Sequence, residues 1–210
     1  MKRALIIGAS RGIGLGLVEA HLERGWEVHT TTRDGTAPTD HPNLRPHRLD
    51  VLDPHELEHL VQELTEPMSR IIHNAGINHA PREELFAVNA DAPIRVVQSL
   101  LDASALMPDG VVAIMSSNAG SRAARRPNSG DYGDSKAALN DEFRRRADDW
   151  HREGAIAIVM HPGWVRTDMG GPEAPVTLDD SVTGIMRGLD GLGPGDHGRF
   201  LTWEGNTLPW

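Results

Sequence analysis

The apolar run from Ala4 to Ile7 passes directly into GASRGIG, Gly8 to Gly14, and a helical stretch follows from Arg11 to Arg24. A strand that turns at glycine into a helix is how a parallel βαβ unit begins, and few folds start that way. Glycines at such a turn let the backbone approach a pyrophosphate at the helix N-terminus, where unpaired N–H groups favour negative charge. Gly8 is expected to make the turn, Gly12 the close approach and Gly14 the contact between helix and sheet. Ser10, Arg11 and Ile13 fall in the same loop and are counted with the glycines as cofactor-binding candidates. The spacing is G-x-x-x-G-x-G, not the commoner G-x-G-x-x-G, and a glycine-rich turn that only packs is the competing reading of the motif alone.

The same alternation continues along the chain. Short apolar segments (EVHTTT, RPHRLDV, RIIHNAG, GVVAIMSS, AIAIVMHPG, GRFLTW) are separated by amphipathic stretches near 54–66, 83–106, 132–153 and 178–189. Strands alternating with helices predict an α/β fold: a single Rossmann-type, doubly wound parallel sheet of about seven strands with helices on both faces. Loops are expected at 34–46, 170–175 and 191–198 from their glycine and proline content. None reads as a linker, so residues 1–210 are expected to form one dinucleotide-binding domain.

Composition narrows the partners. The formal net charge of −9 disfavours nucleic acid and anionic membranes over most of the surface, so any anion site must be local. The chain has no cysteine, which removes disulfide and thiolate chemistry and fits a reducing compartment. No apolar run has the length of a secretory signal or a membrane span, and a cytoplasmic location is expected.

At the end of the second strand, where an acidic residue usually takes the adenosine ribose hydroxyls, the sequence reads TTTRD. Thr32 stands in the acidic position, Arg33 follows it, and Arg11 lies in the glycine loop. Two guanidiniums suit a 2′-phosphate, so NADP is expected over NAD. The alternatives are that both arginines are solvated, or that Asp34 turns inward.

Tyr132 is the only tyrosine of the chain, and Lys136 lies four residues after it. Residues so spaced share one face of a helix. A phenol ionises near ~10, and an adjacent ammonium lowers that value, giving a tunable general acid. Upstream, Ser116 and Ser117 end a strand at the edge of the sheet where open α/β folds bind ligands, and a serine there can hold a substrate carbonyl.

Taken together, GASRGIG, LDV at Leu49, HNAG at His73, VNADAP at Val88, IMSS, YGDSK and HPGWVRTDM at His161 resemble the short-chain dehydrogenase/reductase family over nearly the whole chain. The strand end HPGWVRTDMGG and the closing GNTLPW look most like its small C-factor and sniffer-type carbonyl reductases. The resemblance implies that Tyr132 is the proton donor and that Lys136 holds the nicotinamide ribose and depresses the tyrosine pKa. It implies that Ser117, rather than Ser116, orients the carbonyl, and that Asn89 anchors a relay water. Asp50 and Val51 would flank the adenine, Asn74, Ala75 and Gly76 the adenosine side, and Val165 and Thr167 the nicotinamide amide, with Pro162 and Gly163 shaping that wall. Three departures stand out: Ile7 replaces a threonine that braces the glycine loop, the segment after the second strand is too short for the usual second helix, and the Ser117 to Tyr132 spacing is long.

The expected activity is NADPH-dependent reduction of a small or medium carbonyl compound to an alcohol, or the reverse, by a homodimer or homotetramer. A dinucleotide-binding signalling or sensor protein, with incidental turnover, is the alternative. The H-E-x-x-H match at His55 to His59 has no third ligand nearby and reads as a solvated helix face, so no metal site is expected. Arg122, Arg125 and Arg126 either select an acidic substrate or form a solvated loop. Trp164 is expected in the pocket, and Trp203 and Trp210 against the last strand or a subunit contact.

Overall fold

The computed structural model describes residues 1–124 and 129–210. Seven strands form one sheet: β1 (Arg3–Ile7), β2 (Glu27–Thr32), β3 (Leu44–Arg48), β4 (Met68–His73), β5 (Leu106–Met115), β6 (Ile156–His161) and β7 (Phe200–Thr202). Their order is β3-β2-β1-β4-β5-β6-β7, and every pairing is parallel. Because both faces are covered, the central strands β1, β5 and β6 carry apolar runs: in β1, Leu5 and Ile7 point into one core, Ala4 and Ile6 into the other. Helices α2 (Pro54–Glu63), α4 (Ala92–Asp102) and α5 (Gly130–Arg152) supply Leu60, Val96, Leu139 and Phe143 to the first core. Helices α1 (Gly12–Glu23) and α6 (Leu178–Asp190) supply Leu17, Val18, Val182 and Ile185 to the second.

Winding outward from β1 to β3 and then crossing to β4 leaves a crevice at the C-terminal ends of β1 and β4, the place where such sheets bind ligands. Residues 33–43 join β2 to its parallel neighbour β3 without a helix, as their length predicts.

The long helix expected over 83–106 runs without interruption from Arg82 to Asp102, ending short of its expected limit and holding a π-helical turn. A short α3 (Arg82–Phe86) runs into a π-helical turn at Ala87–Asp91 and then α4, which ends at Asp102. Ser104 takes a left-handed conformation (φ 56°) that helices cannot continue, and Leu106 already belongs to β5. Apolar periodicity alone hides both features. Among the described residues no helix is long and apolar enough to cross a membrane.

Candidate active site

The glycine loop is built as its spacing requires. Gly8 has φ +82°, and a Cβ on it would lie 2.6 Å from Ala75 Cα, so only glycine lets the loop rest on the end of β4. A Cβ on Gly14 would lie 2.3 Å from the Gly8 carbonyl, which fixes how closely α1 packs. The brace lost at Ile7 is supplied from the neighbouring strand: Gly8 N donates to Thr31 Oγ1 at 3.1 Å. From the other side Asn74 Nδ2 donates to the Gly8 carbonyl at 2.7 Å, and the N–H groups of Asn74 and Ala75 both reach the Ile7 carbonyl at 2.9 Å.

At the end of β2, the Asp34 carboxylate accepts from Thr36 N, Thr36 Oγ1 and Thr32 Oγ1 at 3.1, 2.7 and 3.1 Å. It is therefore spent on its own turn and does not line the crevice, whereas Arg33 does. Arg11 lines it too and sits 3.4 Å from Asp168, both side chains about three-quarters exposed.

At the other end, α5 carries Tyr132 and Lys136 on one face, next to the exit of β5. The Ser117 hydroxyl beside it lowers the Tyr132 phenol pKa, but burial dominates and pushes it above its ordinary value. This departs from the depression expected of Lys136: the ammonium donates to the Met115 carbonyl at 3.0 Å, and no effect of its charge on the phenol is resolved. Burial lowers Lys136 itself to about 8. His73, fully buried nearby, is pushed down to about 3 by burial and then by the Lys136 charge, so it is neutral near pH 7.

Of the serine pair, Ser116 Oγ is committed to Asn140 Oδ1 at 2.7 Å, whereas Ser117 Oγ accepts from Ala119 N at 3.1 Å and is the serine that acts on the phenol. Asn89 lies in the π-helical turn. Its Nδ2 donates to the Ile77 carbonyl (2.8 Å) and Ser135 Oγ (3.1 Å), and its Oδ1 accepts from Ile77 N (2.9 Å), tying the end of β4 to α5. Gly76 lies between this amide and the lysine: a Cβ there would fall 3.1 Å from Asn89 Oδ1 and 3.5 Å from Lys136 Nζ.

A continuous cleft of about 490 Å³ joins the two ends, running from Arg33 past the glycine loop to Tyr132 and Lys136. The short chain dehydrogenase family model matches residues 2–175. The chain belongs to the short-chain dehydrogenase family. It is 38% identical to C-signal of Myxococcus xanthus over 157 residues, covering 70% of this chain and 95% of that one. Among solved structures, NADPH-bound carbonyl reductase from chicken fatty liver superposes with a TM-score of 0.89 at 30% identity, over 100% of this chain and 99% of its own. Carbonyl reductase Sniffer of D. melanogaster gives 0.89 at 26% identity over the whole of both chains.

Most of the residues that the family resemblance singled out line this cleft: Gly8, Ser10, Arg11, Gly12, Ile13, Arg33, Asp50, Val51, Asn74, Ala75, Gly76, Tyr132, Lys136, Pro162 and Thr167. Gly14, Asn89, Ser117, Gly163 and Val165 are not part of its lining, whereas Ser116, the serine set aside in favour of Ser117, is. Gly14 and Asn89 brace it as described, Gly163 (φ +95°) packs on Trp203, and buried Val165 pairs with Val176. Trp164 is not part of the lining either. It is 53% exposed, its indole N–H bonded to the Gly170 carbonyl at 2.7 Å, and Met169 and Leu178 line the cleft instead.

Thr31 and Ile77 were missed in the sequence. A hydroxyl residue beside the glycine loop in EVHTTT was the available sign for Thr31; Ile77 acts through its backbone and leaves none. His55 and His59 stand exposed on α2 beside Glu58 and Glu63, and among the described residues no cluster of three or more ligands could hold a metal. Arg122 pairs with Asp141, while Arg125 and Arg126 lie outside the described residues.

Proposed function

We propose that this oxidoreductase is an NADP(H)-dependent carbonyl reductase that acts on a small or medium ketone or aldehyde through Ser117, Tyr132, Lys136 and Asn89. The observation that carries this reading is that Tyr132 and the buried Lys136 line one cleft with the glycine loop, with the Ser117 hydroxyl close enough to lower the phenol pKa. A protein that only bound a dinucleotide would not need an acid and a carbonyl anchor converging there.

The residues fit the cofactor. The glycine loop presents backbone close to the start of α1 for a pyrophosphate, and Arg33 with Arg11 meets the needs of a 2′-phosphate where no carboxylate of the β2 end competes. The chicken carbonyl reductase of the same fold is NADPH-bound, which supports the same choice here. When bound, NADPH supplies the hydride. Ser117 and Tyr132 polarise the substrate oxygen, and Tyr132 delivers its proton as that oxygen gains charge. Lys136 keeps its ammonium in the cleft below about pH 8, placed to meet the nicotinamide ribose of the cofactor. Asn89 fixes the distance between β4 and α5, and with it the depth of the site.

Equilibrium titration with NADPH and NADH, followed by energy transfer from tryptophan, tests the cofactor. A screen of aldehydes and ketones with the preferred cofactor then tests the reaction. Binding of neither nucleotide would overturn the reading. The likeness to C-signal favours a second reading, a dinucleotide-dependent signalling protein, and a cellular role that survives Tyr132→Phe would select it.

A further inference from the structure

Beyond β7 the chain folds back over the turn that leaves the catalytic strand. Leu208 N donates to the Phe200 carbonyl at 2.7 Å, which directs the next two residues toward the β5–α5 connection. There the Pro209 carbonyl accepts from Ser121 Oγ at 2.7 Å and the Trp210 carbonyl accepts from Ala123 N at 2.9 Å. The Trp210 ring is anchored between Phe143 of α5 (centroids 5.9 Å) and Phe200 of β7 (5.3 Å), with the Arg144 guanidinium 5.4 Å from its centroid.

What is gripped is the short turn that starts at Ser117. Gly120 N donates to the Ser117 carbonyl at 2.8 Å, and the Gly120 carbonyl accepts from Asn140 Nδ2 at 3.1 Å. A Cβ on Gly120 would lie 2.7 Å from the Lys136 backbone, so the inner side of the turn rests directly on α5. Ser121 is fully buried, and its hydroxyl both donates to Pro209 and accepts from Ala124 N at 2.9 Å. The turn is thus held from inside by α5 and from outside by Pro209 and Trp210.

We propose that Pro209 and Trp210 are positioning residues for Ser117: through Ser121 and Ala123 they hold the β5–α5 turn against α5, and so keep the Ser117 hydroxyl on the Tyr132 phenol. The catalytic consequence rests on the function proposed above, whereas the contact between Ser117 and Tyr132 can be followed without it. Because the chain has one tyrosine, labelling with [13Cζ]tyrosine gives a single phenol resonance whose pH titration reports Tyr132 alone.

The full-length Ser121→Ala, Trp210→Ala and Trp210→Phe variants are compared with the parent, using NADPH and 4-nitrobenzaldehyde for turnover. In Ser121→Ala and Trp210→Ala the titration midpoint is expected to rise by about half a pH unit or more, since the nearby Ser117 hydroxyl lowers it. The kcat is expected to fall about fivefold or more while NADPH affinity stays within about twofold, and Trp210→Phe, which keeps a ring, restores both. An unchanged midpoint in folded Ser121→Ala overturns the proposal. If Trp210→Ala does not fold, Ser121→Ala decides. If the parent reduces no carbonyl compound, the reductase reading fails and the tyrosine midpoint still decides the positioning role.

Discussion

The Lys136 ammonium donates to the Met115 carbonyl across 3.0 Å, joining α5 to the end of β5 from inside the cleft. That hydrogen bond does not cancel the cost of its burial, which lowers the lysine from 10.5 to about 8. The folded state therefore resists the charge: the penalty is complete below about pH 8 and is relieved as pH rises from there toward the unfolded value. A displacement of this size corresponds to about 3 kcal/mol, and loss of the bond to Met115 returns about 1 kcal/mol. Lys136→Met is accordingly expected to unfold at a higher temperature at pH 7 while losing turnover, as calorimetry without cofactor would register. A lower unfolding temperature would mean that the site is better solvated than its burial suggests.

Removing the phenol hydroxyl separates chemistry from binding. Tyr132→Phe is expected to lose about 10²–10⁴-fold in kcat, the range for a positioned general acid, with NADPH affinity unchanged within a few fold. Single-turnover kinetics beside a fluorescence titration would check it. A variant that kept its rate would remove Tyr132 as the proton donor.

Cofactor preference should depend chiefly on Arg33. Arg11 shares its charge with Asp168 at the surface, whereas among the described residues no ion pair engages Arg33, and Asp34 is held by Thr32 and Thr36. Arg33→Ala is expected to weaken NADPH about 10–100-fold and leave NADH unaltered, since a charge-assisted contact to phosphate contributes about 1.5–3 kcal/mol. Arg11→Ala should cost less. Equal losses for both nucleotides would show that Arg33 does not meet the 2′-phosphate.

The strands and the glycine loop were legible because both faces of a parallel sheet demand apolar runs and Gly8 and Gly14 have no room for a Cβ. Tyr132 and Lys136 were legible from helical spacing. The π-helical turn inside the 83–106 stretch and its end at Asp102 were not, since apolar spacing registers neither a locally widened turn nor the left-handed Ser104 beyond the helix. The rise in the Tyr132 pKa was hidden for a related reason: spacing brings a lysine onto the same helix face but does not say that its ammonium turns to Met115. The brace from Thr31 and the grip of Pro209 and Trp210 join residues far apart in sequence, and no local pattern announces them.

A last expectation concerns acid. His21 is fully buried on the inner face of α1; its Nδ1 donates to the Leu17 carbonyl at 2.7 Å, so Nε2 is free of hydrogen and accepts from Arg70 Nη1 at 3.1 Å. Protonating Nε2 would point a hydrogen at a guanidinium that is itself buried and bonded to Asp190 at 3.1 Å. Burial first, and the Arg70 charge among the smaller causes, accordingly lower His21 from 6.5 to about 4, and His29 is lowered to about 4 chiefly by burial as well. Both imidazoles have depressed folded-state values, so the unfolded chain binds more protons between pH 6.5 and 4. Stability should then be full above the unfolded value and decline as pH falls toward 4. His21→Leu removes the acceptor of Arg70 and should cost about 1–3 kcal/mol at pH 7, the range for a buried donor left unpaired. The same variant should lose less than the parent does between pH 7 and 5, because one of the lowered imidazoles that drive the acid transition, which include His29, His73 and His197 as well, is gone. Urea unfolding at both pH values measures the difference, and a parallel decline in parent and variant would show that His21 is not a source of the acid sensitivity.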